Sequence, residues 1–362
     1  MSAGFVPPPY PYDRLRDAKA AASRFEGGIV DLSIGTPFDP PADEVVTALA
    51  TSGTERGYPT SIGSQRLREA AVGWMARRFG VEVPLAGLAA CVGTKEFVAG
   101  VVAYLRLRTP DRDTVLYPSV AYPTYEMGAI LAGCRGVPVD DLPSVAGADA
   151  ARALCLWVNS PSNPTGALAD LGAAASWGRA HGVPVLSDEC YAEFTWDGLP
   201  HTILEHGLDG VLAVHSLSKR SNLAGLRVGF YAGDGELVHY LAEVRKHAGF
   251  MVPGPVQAAA AVALDDDAHV DEQRERYLQR LSFFAEVLRA QGAKVDLPAG
   301  SFYLWAEVPG GDAWAFTNDL AERGGVLVSP GGLYGPAGAA HVRVAMVQPM
   351  DRLTLVAERL GV

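Results

Sequence analysis

The chain has 362 residues, of which 49% are apolar and 20% charged, and its formal net charge at pH 7 is −11. These values are typical of a globular protein with a sizeable core, and no apolar run approaches the roughly 20 residues of a membrane span. Nucleic acid is bound through basic patches, and the chain has an acidic balance without Lys/Arg runs. We therefore expect neither a nucleic-acid nor a membrane partner.

The amino-terminal part predicts a proline-rich extended arm, then a helix within DRLRDAKAAASRF and a short strand in VDLSIG. The arm lacks the basic start and continuous apolar stretch of a secretory signal peptide, which predicts a cytoplasmic location. Four single cysteines without a C-x-x-C pair predict reduced thiols, with no disulfide framework and no metal site.

From about residue 94 to 260, short β-branched runs alternate with Ala- and Leu-rich stretches. Strands are predicted at 114–118, 136–140, 153–159, 182–188, 211–216 and 226–231, and helices at about 95–108, 122–133, 168–181 and 235–248. This alternation predicts an α/β fold with a mostly parallel central sheet covered by helices.

After residue 265 the pattern changes to a long polar helix over 271–292, followed by the apolar runs SFYLWAEV, GVLVS and HVRVAMV. Such runs favour an antiparallel or mixed sheet with helices on one face. We predict a large α/β domain over residues 36–264, and a smaller α+β domain built from residues 1–35 and 265–362 that includes the arm.

Several polar and aromatic residues fall at or just after predicted strands, where open α/β sheets bind ligands. Tyr122, Asn163 and Asp188 follow or end three of the strands, and the segment SLSKRSNLAGLRVGF follows a fourth. These residues predict a site at the carboxyl edge of the sheet.

That last segment carries the most specific pattern in the chain: Ser216, Ser218, Lys219, then Arg227 between two glycines. A lone lysine in a loop is usually solvated. The complete spacing, however, resembles the lysine signature of class I/II aminotransferases that use pyridoxal 5'-phosphate (PLP). The similarity extends over about residues 30–347 and implies PLP-dependent transferase fold type I, with Lys219 bonded to the cofactor.

The resemblance also assigns the groups around the cofactor. Its phosphate would be held by Ser216, Ser218 and Arg227, together with the backbone amides of Gly93, Thr94 and Lys95 at a helix N-terminus. Asp188 would keep the pyridine nitrogen protonated. Tyr191 and Asn163 would contact the phenolic oxygen, and Tyr122 would stack on the ring, whereas Tyr125 could be core packing alone.

For the substrate, the resemblance implies that Arg343 in HVRVAMV clamps the α-carboxylate, with Asn163 nearby and the backbone of Gly35 close by. Tyr58 matches the tyrosine that reaches the PLP phosphate of the neighbouring subunit, which implies a homodimer. Nothing in the sequence places the tips of Arg14, Lys95 or Arg220, so none of them is given a part in substrate choice.

Within the family, four segments look most like actinobacterial N-succinyldiaminopimelate aminotransferases: PPPYPYDRLRDAKAAA, VDLSIGTPFDPP, VGTKEFVAG and PSVAYPTYEMGA. That likeness implies ping-pong amino transfer through pyridoxamine phosphate, with glutamate and 2-oxoglutarate as the second pair, in lysine biosynthesis. The alternatives are an aminotransferase of the aspartate or LL-diaminopimelate type, a PLP-dependent β-lyase or racemase, and a non-catalytic PLP-binding regulator. The regulator is disfavoured because no basic DNA-binding module is present.

Overall fold

The computed structural model describes residues 5–362, so the first four residues of the predicted smaller domain lie outside it. The α-helices are α1 (Arg16–Ala22), α2 (Asp43–Thr51), α3 (Gln65–Phe79), α4 (Thr94–Arg108), α5 (Thr124–Leu131), α6 (Gly147–Arg152), α7 (Leu171–His181), α8 (Leu217–Arg220), α9 (Gly235–His247), α10 (Gly254–Asp265), α11 (Ala268–Ala290), α12 (Ala313–Gly324) and α13 (Met350–Leu360). The strands are β1 (Val30–Asp31), β2 (Leu88–Cys91), β3 (Thr114–Tyr117), β4 (Arg135–Pro138), β5 (Ala153–Asn159), β6 (Val185–Asp188), β7 (Val211–Ser216), β8 (Gly229–Gly233), β9 (Tyr303–Glu307), β10 (Val326–Leu327), β11 (Ser329–Pro330) and β12 (His341–Ala345).

The larger sheet has seven strands in the order β2-β8-β7-β6-β5-β3-β4. Strands β3 to β7 pair in parallel, whereas β8 is antiparallel to both β7 and β2. Every residue of β5 and β7 is buried, as a strand covered on both faces requires. Along β5, Leu156 and Val158 enter one apolar cluster while Cys155 and Trp157 enter another. The predicted α/β fold class with a mostly parallel sheet is confirmed.

The strand predicted at 226–231 instead begins at Gly229, because the residues before it turn. Ala224–Leu226 form a single 3-10 turn, and Arg227 has a left-handed backbone with φ of 54°. The other predicted strands of this sheet agree with the structure within a few residues at their ends.

The smaller sheet has three antiparallel strands in the order β11-β12-β9, next to a parallel pair of β1 with β10. Helix α11 packs Leu281, Phe284 and Leu288 into the same cluster as Leu304 and Val344. The β1–β10 pair places the beginning of the chain against its carboxyl-terminal part. Within residues 5–362, no helix is both long and apolar enough to cross a bilayer.

Candidate active site

The loops that follow the parallel strands meet the smaller sheet around a cavity of about 390 Å³. Most residues predicted from the sequence line it: Gly35, Thr94, Lys95, Tyr122, Asn163, Asp188, Tyr191, Ser216, Ser218, Lys219, Arg227 and Arg343. Gly93 caps the first turn of α4 beside them. Tyr58 is elsewhere on the chain: its side chain is fully exposed and lines a separate cavity with Gly254 and Gln257.

Lys219 lies on the short helix α8, which leaves the end of β7 towards the cavity. The Ser216 hydroxyl caps this helix by accepting from the Ser218 backbone N–H at 3.1 Å. Burial lowers the pKa of Lys219 to about 8, and the positive charges of Arg343 and Arg227 act in the same direction. The ammonium donates to the Gly35 carbonyl oxygen. Because the neutral amine is accessible near neutral pH, Lys219 has the character of a nucleophile and a base.

Asp188 ends β6 and is buried at the floor of the cavity. Its carboxylate accepts from the Tyr125 hydroxyl at 2.9 Å and from the Cys190 backbone N–H at 3.2 Å. Burial raises the pKa of Asp188. Neither hydrogen-bond partner is a cation, so this carboxylate is suited to a positively charged ligand group. The tyrosine that could have been core packing therefore holds the carboxylate, while its ring stacks on Trp157 at 4.9 Å.

Arg343 on β12 brings a positive charge to the same cavity, and it is only 2% exposed. One Nη donates to Asn163 Oδ1 at 2.8 Å and the other to the Ser33 carbonyl, while Nε has no partner among the described residues. The guanidinium lies over the rings of both Tyr303 and Tyr334, at 4.2 and 4.8 Å from their centroids. A buried guanidinium bonded only to neutral groups favours an anionic ligand such as a carboxylate.

An anion-binding surface forms where α4 begins. Gly93 has φ of 75°, and a Cβ on it would overlap the Arg227 guanidinium. Arg227 keeps its left-handed backbone, which is unfavourable for a side-chain-bearing residue, and donates to the Ala224 carbonyl at 2.9 Å. A helix N-terminus, two serine hydroxyls and a guanidinium therefore face the same end of the cavity, as a phosphate requires.

Aromatic residues enclose the rest of the cavity. Tyr122 meets Tyr125 edge to face at 5.9 Å, and the hydroxyls of Tyr191 and Tyr303 lie 2.7 Å apart. The Tyr303 hydroxyl comes so close to Gly35 that a Cβ there would overlap it. Glycine at position 35 is therefore explained by this tyrosine, which the sequence reasoning had not singled out.

The sequence reasoning also missed residues that the arm brings to the cavity. The Tyr10 hydroxyl accepts a hydrogen bond from Lys95 Nζ at 3.0 Å. The Tyr12 hydroxyl lies 2.9 Å from that of Tyr334. The repeated tyrosines of the segment PPYPY, unusual in a solvated arm, were the available signal.

Together these groups have the chemistry that PLP needs. The cavity offers an amine with a lowered pKa, a buried carboxylate without a salt-bridge partner in residues 5–362, and a helix terminus suited to an anion. It also holds a buried guanidinium that has no carboxylate partner in the same residues, which leaves a place for an acidic substrate. The residues present therefore fit the cofactor.

Comparison with known proteins agrees with this chemistry. The model of the family "Aminotransferase class I and II" matches residues 27–360. The probable aminotransferase Rv1178 of Mycobacterium tuberculosis is 46% identical, over 98% of this chain and 85% of its own. The 4-dedimethylamino-4-oxo-anhydrotetracycline transaminase OxyQ of Streptomyces rimosus is 42% identical, over 98% and 99%.

Among solved structures, a probable N-succinyldiaminopimelate aminotransferase from Thermus thermophilus is similar with a TM-score of 0.87. It is 32% identical, over 96% of this chain and 98% of that one. The enzyme is therefore an aminotransferase and belongs to the class I and II aminotransferase family, which implies PLP as its cofactor.

Proposed function

We propose that the protein is an N-succinyldiaminopimelate aminotransferase, with glutamate and 2-oxoglutarate as its second substrate pair. The observation that carries amino transfer from an acidic substrate is Arg343, a buried guanidinium without a carboxylate, facing Lys219 across one cavity. The likeness to the Thermus thermophilus structure supports the particular substrate.

The proposed contacts to PLP follow the charges of the cavity. Ser216, Ser218, Arg227 and the amides of Gly93, Thr94 and Lys95 would hold the phosphate, and Asp188 the ring nitrogen. Asn163 and Tyr191 would contact the phenolic oxygen, and Tyr122 a ring face. The bound cofactor supplies an electron sink that makes the proton on the substrate Cα removable.

The chain's own residues would then perform three tasks. Arg343 binds and orients the α-carboxylate, because a guanidinium and a carboxylate fit in a two-pronged way. Lys219, as a neutral amine, takes the proton from Cα and returns it to the cofactor carbon on which the amino group remains. The arm residues Tyr10 and Tyr12 limit access of water to the reacting atoms.

A second anionic group of the substrate would meet Lys95 at the mouth of the cavity. Its ammonium contacts the hydroxyl and the ring of Tyr10, at 3.0 and 4.7 Å, and both contacts are uncharged. A succinylated diaminopimelate carries carboxylates beyond the reacting one, and this lysine could neutralise one of them.

Tyr58 is proposed to complete the site of a second copy. Its side chain is fully exposed and lines a different cavity from the one that holds Lys219 of its own chain. A fully exposed tyrosine side chain is suited to a protein–protein interface, where aromatic residues are enriched. The proposed active unit is a homodimer in which each Tyr58 reaches the other subunit's PLP phosphate.

The test is an absorbance experiment on wild type, Lys219→Ala and, as a matched control, the exposed Lys246→Ala. The PLP band near the visible edge should appear in wild type and the control, and both glutamate and N-succinyldiaminopimelate should convert it. The Lys219→Ala variant should not turn over. If glutamate converts the band and the succinylated compound does not, the substrate proposal is wrong while amino transfer stands.

A second candidate substrate is a polycyclic ketone, which the relative from Streptomyces rimosus and the tyrosine-lined mouth favour. Such a ketone carries no α-carboxylate, so its amination would not depend on Arg343. Because the amino-acid donor still needs Arg343, the acceptor half-reaction is measured alone, on protein loaded with pyridoxamine phosphate. Conversion of this form by the ketone that survives Arg343→Gln, while conversion by 2-oxoglutarate is lost, would support this alternative. Loss of both would exclude it.

A further inference from the structure

Tyr303 touches two groups that the proposed reaction uses. It lies on β9 with 1% of its surface exposed, and its ring stacks on the Arg343 guanidinium at 4.2 Å. Its hydroxyl lies 2.7 Å from that of Tyr191. We propose that Tyr303 is a positioning residue. Its hydroxyl donates a hydrogen bond to the hydroxyl oxygen of Tyr191, so that the Tyr191 hydroxyl in turn donates to the cofactor's phenolic oxygen. The inference rests on the proposed contact between Tyr191 and PLP.

The direction of this hydrogen bond follows from the number of protons available. Each phenol carries one proton, and among the described residues the Tyr303 hydroxyl has a single partner, Tyr191. Its other side is closed by Gly35, which it approaches more closely than a Cβ would permit. If Tyr191 donated to Tyr303, the Tyr303 proton would have no acceptor and the cofactor oxygen would lose its donor, which is costly at a buried site.

The charges around the pair favour the same direction. Burial raises the pKa of both phenols and the positive charge of Arg343 opposes the rise in both, but the guanidinium lies over the ring of Tyr303, 4.2 Å from its centroid. A phenol next to a guanidinium is more acidic and therefore a stronger hydrogen-bond donor. The other titratable groups facing the pair are the Cys190 thiol, after β6, and the Tyr12 hydroxyl on the arm. Burial raises the pKa of Cys190, so that this thiol is neutral and does not compete.

The chain contains a matched control for this contact. Tyr334 also has the Arg343 guanidinium over its ring, at 4.8 Å, and its hydroxyl pairs with Tyr12 at 2.9 Å instead of with Tyr191. The two tyrosines therefore share a ring contact and differ in the partner of the hydroxyl. Replacing each by phenylalanine keeps both rings and separates the two roles.

The measurement is the pH titration of the visible absorbance of the PLP-bound protein. That absorbance follows a proton held between the cofactor's phenolic oxygen and the nitrogen that Lys219 supplies. A hydroxyl that donates a hydrogen bond to the phenolic oxygen stabilises the negative charge on that oxygen. The shared proton is then held less strongly and dissociates at a lower pH. Tyr191→Phe should therefore raise the midpoint. Tyr303→Phe should raise it by about 0.5–1 pH unit, the equivalent of one neutral hydrogen bond.

The variants together make the result specific. Tyr334→Phe should titrate at the wild-type midpoint. The double variant Tyr191→Phe/Tyr303→Phe should titrate where Tyr191→Phe alone does, because Tyr303 acts only through Tyr191. Tyr303→Phe should change the KM for glutamate less than about twofold, since the ring on Arg343 is retained. Gly35→Ala, which forces the Tyr303 hydroxyl aside, should also raise the midpoint, and it should add no further shift when combined with Tyr303→Phe.

Each other outcome identifies what is wrong. An unchanged midpoint in Tyr303→Phe, or additive shifts in the double variant, overturns the inference. A lower midpoint means that Tyr191 donates to Tyr303, and also overturns it. If Tyr191→Phe itself causes no shift, the proposed contact to PLP fails and the inference with it. If wild type binds no PLP, the proposed function fails.

Discussion

Burial shifts the pKa values of single residues in the cavity, and Lys219 shows this most clearly. Its pKa is lowered to about 8 from the ordinary 10.5, so between these pH values the unfolded chain binds more protons than the folded one. Stability must then rise with pH across that window. The free-energy cost of burying the charged Lys219 ammonium is fully present below pH 8 and disappears as the pH approaches 10.5.

We predict from this that Lys219→Met stabilises the cofactor-free protein at pH 7 and that the gain shrinks above pH 8. Urea unfolding of both proteins at intervals from pH 7 to 10.5 measures the difference. Lys246→Met, at an exposed lysine, is the matched control. A difference between Lys219→Met and wild type that stays constant with pH would contradict the lowered pKa.

The contact between Tyr125 and Asp188 gives a second prediction at this scale. Tyr125→Phe keeps the stacking on Trp157 and removes the hydroxyl that donates to the carboxylate. One lost hydrogen bond to a charged group should weaken PLP binding roughly tenfold or more, measured as the dissociation constant by absorbance. The control is Tyr231→Phe, because the buried Tyr231 hydroxyl has no partner among the described residues. Equal affinity in both variants would show that Tyr125 only packs.

Between secondary-structure elements, a buried carboxylate connects the helices behind Lys219. Glu193 accepts from Trp74 at 2.6 Å and Arg78 at 2.9 Å, both on α3, and from Arg220 on α8 at 3.3 Å. Arg220 and Glu193 are both buried. The lysine-bearing helix is therefore fixed to α3 through one acidic side chain.

We predict that Glu193→Gln lowers the free energy of unfolding by about 3–5 kcal/mol, because it removes the nearest counter-charge of the buried Arg220, at 3.3 Å, whereas Arg78 keeps Asp271. Glu272→Gln, which breaks the exposed pair of Glu272 with Arg276, should cost less than about 1 kcal/mol. Denaturant unfolding of the two variants provides the comparison. A small effect at Glu193 would mean that Arg220 is compensated by other groups, such as Asp267 at 3.9 Å.

Elements with a strong apolar pattern could be predicted, and elements without one could not. The parallel strands were predicted because both faces are covered, which gives continuous apolar runs such as ALCLWVN. Helix α10 was missed because GPVQAAAAVALD has apolar residues on all sides and so shows no helical period. The run GVLVS was expected as one strand, but its parts pair with different partners as β10 and β11.

The same distinction applies to the cavity. Lys219, Asp188 and Asn163 could be grouped in advance because parallel strands bring their carboxyl ends to one edge. Tyr12, Tyr303 and Tyr334 could not, because they meet only when the smaller sheet and the arm pack against that edge. The contact between Tyr12 and Tyr334 joins residues 322 positions apart, for which local sequence patterns carry no information.

For the whole molecule, the cavity depends on both ends of the chain, and we expect it to depend on a second copy as well. Arg343 bonds to Ser33 near the beginning of the chain and to Asn163 in the larger part. Tyr58, fully exposed, is the residue proposed to cross to the partner.

Mixing two inactive variants tests this arrangement. In the proposed dimer each site takes Lys219 from one subunit and Tyr58 from the other. A mixed dimer of Lys219→Ala and Tyr58→Ala therefore has one site with both substitutions and one site with neither. Refolding the two together should restore roughly a quarter of wild-type activity in a random mixture of dimers. Sedimentation should give a dimer for each variant. Lack of any restoration in mixed dimers would place Tyr58 outside the partner's site.

The close approach of the Tyr303 hydroxyl to Gly35 has an evolutionary consequence. The side chains of two positions that compete for the same space cannot vary independently. A larger side chain at one position is therefore tolerated only together with a smaller one at the other. A library randomised at both positions and selected for activity should recover side chains larger than glycine at position 35 only together with residues smaller than tyrosine at 303. Positions 35 and 303 would then be inherited as one unit, although they are 268 positions apart along the chain.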